Sequence, residues 1–233
     1  MTAPIIVFDL DGTLVDTAPD LMASLNHCLA LDGMTVAGPA EFRRFVGMGG
    51  KVMIERAYAA QQRVLSDERL KELLDTFIEH YGSNMPGDSQ PYEGVVAALD
   101  RFDDAGYLTA ICTNKFELHS TRLMQGLGLT ERFRAICGQD TFAFRKPDPR
   151  HLIETIARAG GNPERAIMVG DSETDIKTAK AAGIPVVAVD FGYTDKHVRE
   201  FEPSHIISHF DELTVDLADR LIAAATSPRA KTA

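Results

Sequence analysis

Five short β-branched or apolar runs punctuate the 233-residue chain: Ile5–Phe8, then residues 107–112, 133–137, 166–169 and 185–189. A run without polar alternation suits a strand covered on both faces, the condition inside a parallel sheet. Helical patterns fill the gaps between the last four. Leu118, Thr121, Arg122, Leu123 and Met124 follow the second run. Leu152, Ile153, Ile156 and Ala157 follow the third, and Ile176, Ala179 and Ala182 the fourth. Alternating strand and helix predict an α/β fold with a doubly wound parallel sheet, a Rossmann-like core.

The first run departs from this rhythm, because only helical patterns follow it before a strand returns. Thr17-x-x-Asp20 reads as a capping-box start, with Leu21, Leu25, Cys28 and Leu29 on one helical face. Met53, Ile54 and Ala57 form a weaker stripe. Leu70, Leu73, Leu74, Phe77, Ile78 and Tyr81 form a clear one. Such helices must bury their stripes against each other. Residues 16–86 are therefore expected to be an inserted helical unit, and residues 1–15 and 87–233 the core. The hinges fall near residues 15–18 and 84–91, where Pro86, Gly87 and Pro91 punctuate the chain. Residues 226–233 read as a frayed tail.

Composition excludes several classes. Apolar residues are 45% of the chain and charged residues 25%, as in globular domains. A net charge of −10, with no basic stripe, argues against a nucleic-acid partner. An anionic small molecule is still compatible, provided a metal ion and a few fixed cations reverse the field locally. Cys28, Cys112 and Cys137 give neither a disulfide framework nor a CxxC motif, which fits a reducing, cytoplasmic setting. The N-terminus has no basic segment followed by a long apolar one, so it does not read as a signal peptide. No apolar run approaches the ~18 residues of a membrane span.

The chemistry concentrates at the strand ends. Asp9 and Asp11 follow the first run and are followed by Gly12, so a tight turn is expected to aim both carboxylates at one small volume. Like charges so close favour a shared proton or a bound cation. Asp171 and Asp175 follow the fourth run, four residues apart at a helix start. Taken singly, each motif has a plainer reading: D-x-D as a loop cap, Asp171 as a helix N-cap. Together, Asp9, Asp11 and Asp171 are expected to converge on an oxygen-rich Mg²⁺ site. Thr113 and Asn114 end the second run, where phosphate oxygens could be held. Lys146 precedes Pro147 ahead of the helix after the third run.

The order D-x-D-G-T, T-N, K-P, G-D-x-x-x-D, each at a strand end, resembles the haloacid dehalogenase superfamily over nearly the whole chain. The helical insert looks like that superfamily's type 1 cap. Residues 9–17 (DLDGTLVDT), 45–49 (FVGMG), 91–94 (PYEG), 112–115 (CTNK) and 170–176 (GDSETDI) are similar to segments of phosphoglycolate phosphatases. The resemblance implies a Mg²⁺-dependent phosphatase acting on a small phosphorylated metabolite, 2-phosphoglycolate foremost. It implies Asp9 as nucleophile and Asp11 as acid and base, with metal at Asp9, Asp171 and the Asp11 carbonyl. Thr113, Asn114 and Lys146 would hold the phosphoryl group, and Asp175 would orient Lys146 or a metal-bound water. Lys115 receives no role. In the insert, Arg44 and Lys51 flank a glycine-rich helix start suited to a substrate carboxylate. A phosphomutase, a phosphonate hydrolase using Lys51, another sugar or nucleotide phosphatase, and a non-enzymatic regulator are the alternatives. A dehalogenase is disfavoured by Asp11. The expected state is a monomer or homodimer, with no nucleic acid and no membrane.

Overall fold

The computed structural model describes residues 2–42, 45, 46, 49–194 and 196–226. The chain opens on β1 (Ile5–Phe8) and β2 (Val15–Asp16), and four helices follow: α1 (Ala18–Leu31), α2 (Pro39–Phe42), α3 (Gly50–Ala60) and α4 (Asp67–Asn84). β3 (Gln90–Pro91) leads back to α5 (Val95–Asp104) and β4 (Leu108–Cys112). The alternation then runs through α6 (Glu117–Gly126), β5 (Ala135–Cys137), α7 (Pro149–Arg158), β6 (Ala166–Gly170), α8 (Glu173–Ala182) and β7 (Val186–Val189). β8 (His205–Ile207) and α9 (Val215–Thr226) end it.

Six strands form one parallel sheet in the order β5-β4-β1-β6-β7-β8. Alternate residues of β1 enter different cores. Ile6 and Phe8 pack with Leu99 and Phe102 of α5 and Leu217 of α9. Ile5 and Val7 pack with Leu152 and Ile156 of α7 and Ile176 of α8. Both faces of the sheet are therefore covered, which is why the strands read as continuous apolar runs. Leu118 departs from its expected helical stripe: it is 57% exposed at the start of α6. β1 lies between β4 and β6, so the chain leaves it in opposite directions along the sheet. In open α/β sheets a crevice opens at the carboxyl ends of strands at such a switch point.

The helices α1, α3 and α4 bury their stripes in a separate cluster built on Leu25, Leu29, Met53, Ile54, Leu73 and Phe77. β2 and β3, which lie in the two segments expected as hinges, pair antiparallel (Val15 with Pro91, Asp16 with Gln90). The expected capping box at Thr17 and Asp20 does not form. Thr17 sits at the N-cap without a side-chain cap bond, and its hydroxyl donates to Asp11 Oδ1 at 2.7 Å. Asp20 instead accepts from the backbone N–H groups of Asp88 (2.8 Å) and Ser89 (3.2 Å) and from the Ser89 hydroxyl (2.5 Å). Three buried or half-buried donors outcompete one helix terminus for this carboxylate. Asp20→Ala leaves them unpaired, so a loss of about 2–3 kcal/mol is expected in chemical denaturation. A loss below about 0.5 kcal/mol would mean that water replaces the clamp.

Candidate active site

The site begins where β1 ends. The Asp9 N–H still bonds the Val169 carbonyl at 2.9 Å, extending the β1–β6 ladder by one rung, and the chain then turns sharply. The Leu10 carbonyl accepts from the N–H groups of Thr13, Leu14 and Val15. Gly12 has φ 78°, and a Cβ there would overlap the Asp171 carboxylate. Only glycine meets both demands. Asp9 is held by its own turn, Oδ1 accepting from Leu10 N at 2.7 Å.

Lys146 supplies the counter-charge. Its ammonium lies 2.9 Å from Asp9 Oδ1 and 2.6 Å from Asp175 Oδ1, with its side chain 2% exposed. Its backbone is braced on both sides: the N–H donates to His151 Nδ1 at 3.2 Å, and the carbonyl accepts from Asn114 Nδ2 at 3.0 Å. Burial acts to lower the Lys146 pKa, but the Asp175 and Asp9 charges outweigh it and hold the group protonated. Asp175 is pinned in turn, because its Oδ2 accepts from both the N–H (3.1 Å) and the hydroxyl (2.5 Å) of Ser172. Ser172, not Asp171, caps α8, in a reciprocal capping box with Asp175. That frees Asp171 to face Asp9. Asp171 is oriented by the Tyr193 N–H, which donates to Oδ2 at 2.6 Å, and a Cβ on the neighbouring Gly192 would overlap it.

Asp9, Asp171 and Asp175 each offer an oxygen within 4.8 Å of the others, the only such group among the described residues. Three buried carboxylates face one ammonium. Burial first, then the Asp175 charge, raises the Asp9 pKa to about 7 against the opposing pull of Lys146. Burial, Asp175 and Asp9 likewise raise Asp171 well above the usual carboxylate range. Hard oxygens carrying excess negative charge out of water are the donor set that a small divalent cation neutralises.

The sequence expectation that the Asp11 carboxylate joins this group is not met. Its Oδ1 instead accepts from the Lys115 ammonium at 2.8 Å and from the Thr17 hydroxyl at 2.7 Å. A buried ammonium outcompetes a cluster that is already overcharged. Lys115, unassigned from sequence, is thus part of the constellation, with its side chain 7% exposed. Thr113 is buried one residue beyond β4, its Oγ1 accepting from Lys115 N at 3.2 Å. Asn114 contributes its side chain to Lys146 rather than to the crevice. Lys51 is not brought to the site: its side chain is 62% exposed and lies 3.8 Å from Glu55, one helical turn away. Arg44 lies outside the described residues.

Residues 6–189 match the haloacid dehalogenase-like hydrolase family. The chain belongs to that family. A phosphoglycolate phosphatase of Mesorhizobium japonicum is 68% identical to this hydrolase over 97% of the chain and 99% of the relative. One of Agrobacterium fabrum is 47% identical over 95% of each. The crystal structure of a predicted phosphoglycolate phosphatase from Haemophilus somnus superimposes with a TM-score of 0.83 at 28% identity, covering 91% of this chain and 97% of that one. No helix among the described residues of the hydrolase is long and apolar enough to cross a membrane.

Beyond Lys115, sequence reasoning missed Tyr193 and His151. Tyr193 binds Asp171 through its N–H, while its hydroxyl donates to Asp16 Oδ1 at 2.5 Å and accepts from Ala18 N at 2.8 Å. It thereby links the crevice to β2 and the start of α1. His151 is fully buried, and its pKa falls to about 4, from burial first and the Lys146 charge second. Neutral Nδ1 is what accepting from Lys146 N requires. Neither residue sits in a motif with its partner, so only the fold reveals them.

Proposed function

We propose that this hydrolase is a Mg²⁺-dependent phosphatase of small phosphate monoesters, 2-phosphoglycolate foremost, working through an aspartyl-phosphate. The observation that carries the reading is the pairing of Asp9 with a fixed, buried ammonium, beside a second buried carboxylate at the switch point of the sheet. The names of relatives matching nearly the whole chain support the substrate. In this reading an Asp9 oxygen attacks phosphorus, and the bond from phosphorus to the alkoxide oxygen breaks as Asp11 protonates that oxygen. Water then attacks the aspartyl-phosphate, Asp11 takes its proton, and orthophosphate leaves. Lys146 balances charge on the phosphoryl oxygens while Asp175 and His151 hold it in place; Thr113 and the Asn114 backbone bind the remaining oxygens. Asp9, Asp171 and the Asp11 carbonyl would hold Mg²⁺, which would supply charge neutralisation for the phosphate.

Residues 16–86 act as a cap over a core of residues 1–15 and 87–233, which fits their separate apolar cluster. The enzyme works in the cytoplasm as a monomer or homodimer. The phosphonate alternative has no support at Lys51, whose ammonium is solvated and paired with Glu55. The test is kcat/KM over a panel of phosphorylated metabolites, with and without chelator. Turnover is expected to favour 2-phosphoglycolate, to vanish on chelation, and to return with Mg²⁺ but poorly with Ca²⁺, which prefers more ligands at longer distances. Undiminished turnover in excess chelator overturns the metal role. Equal rates on all small esters overturn the substrate.

A further inference from the structure

The loop that follows β7 touches both strands of the hinge pair. It leaves the sheet after Asp190, whose N–H bonds the Ile207 carbonyl at 3.2 Å. The Phe191 ring then packs 4.7 Å from that of Tyr92, the residue after β3, whose N–H bonds the Leu14 carbonyl at 3.0 Å beside β2. Two residues on, the Tyr193 hydroxyl donates to Asp16 Oδ1 in β2 at 2.5 Å and accepts from Ala18 N at 2.8 Å, where α1 begins. The Tyr193 ring lies against Gly12 of the acidic turn and packs on the apolar cluster of the helical unit. Filling that space needs a ring but no hydroxyl, so packing alone does not account for a tyrosine.

The same residue fixes Asp171. Its N–H donates to Asp171 Oδ2 at 2.6 Å, while the Thr13 hydroxyl reaches Oδ1 at only 3.4 Å. The backbone at Gly192 lies so near that a Cβ there would overlap the Asp171 side chain. A displacement of this loop is therefore a displacement of the carboxylate. We propose that Tyr193 is a positioning residue that couples the helical unit to the metal site. The hinge holds its hydroxyl, its N–H holds Asp171, and the placement of residues 16–86 thereby sets how well Asp171 presents its oxygens to a divalent cation. The inference rests on the reading above, in which Asp171 holds Mg²⁺. A group that orients a metal ligand tunes affinity without touching the metal. Coupling of this kind is reciprocal, so a cation that fixes Asp171 also steadies the start of α1.

Calorimetric titration of the full chain with Mg²⁺ alone tests the coupling, with no turnover in the readout. Tyr193→Phe keeps the ring on Gly12 and the N–H to Asp171, and removes only the hydroxyl. Its Mg²⁺ dissociation constant should rise by ~10-fold, the lower end of what loss of an orienting partner costs. Asp16→Ala cuts the charged end of the bridge from the hinge side and should also weaken binding. In the Asp16→Ala background, Tyr193→Phe should then cost far less than in wild type, because effects carried by one bridge do not add. Asn26→Ala is the control. It removes two hydrogen bonds to Ala37 inside the helical unit (2.7 and 3.0 Å), so it should lower the melting temperature and bind Mg²⁺ as wild type does. Wild-type affinity in Tyr193→Phe, an undiminished loss in the Asp16→Ala background, or equal weakening in Asn26→Ala overturns the coupling and leaves the metal site in place. A wild type that binds no Mg²⁺ overturns the metal reading, and the coupling with it.

Discussion

Replacing Asp9 by asparagine should take turnover to background and leave the fold intact. Asparagine keeps the shape and an oxygen that still accepts from Leu10 N and faces Lys146, both of which Asp9 Oδ1 engages. It removes the anionic oxygen proposed to attack phosphorus and one carboxylate of the cluster. Asp9 is buried and faces Asp175, so its ionised form is held against its surroundings. Neutral asparagine relieves that repulsion. In excess chelator the variant should therefore unfold at or above the wild-type temperature, the pattern of a site kept for function at the expense of stability. Far-ultraviolet circular dichroism and a thermal scan check the fold, and single-turnover assays check the chemistry. Turnover within tenfold of wild type would eliminate Asp9 as nucleophile.

Lys146→Ala should be the second-largest lesion and of a different kind. It removes the ammonium shared by Asp9 and Asp175, leaving three buried carboxylates with no fixed cation. Breaking one side of a buried ion pair destabilises by about 3–5 kcal/mol. In the proposed mechanism that charge faces the phosphoryl group, and its loss should lower kcat by ~10²-fold or more. The two effects separate by titration with Mg²⁺. A divalent cation on the cluster should restore part of the melting temperature, because it binds only the folded state. It should not restore kcat, because it does not replace the ammonium. Recovery of both would make Lys146 a structural counter-charge alone.

The sheet was legible because both of its faces are covered. Five of its six strands, β1 among them, needed no more than their apolar runs. β8 escaped because it has three residues and begins on exposed His205, too short and too polar for a run to register. Within the site, Asp9 and Asp171 were readable because each follows a strand in a compact motif. The Asp11 carboxylate stands apart from the other two for a physical reason: spacing shows that two carboxylates are close along the chain, but not which cations compete for them. Lys115 comes from another strand, and its ammonium decided where Asp11 points. The same limit applied to Asp20, whose partners are the distant Asp88 and Ser89. Local patterns predict local bonds, and these carboxylates are satisfied at long range.

The position of β1 between β4 and β6 has a consequence for biogenesis. A ribosome releases Asp9 long before the strand that completes its surroundings: Thr13 and Asp171, hydrogen-bonded at 3.4 Å, are 158 residues apart in the chain. Closing so long a loop carries an entropic penalty that nearby contacts avoid, so the helical segment, whose partners are close in sequence, has the head start. Until β6 emerges, Asp9 has neither its neighbouring carboxylates nor the backbone ladder that fixes it. A nascent chain halted before that strand therefore holds Asp9 without the group around it, and the site arrives with β6 and the turn after it rather than accumulating along the way.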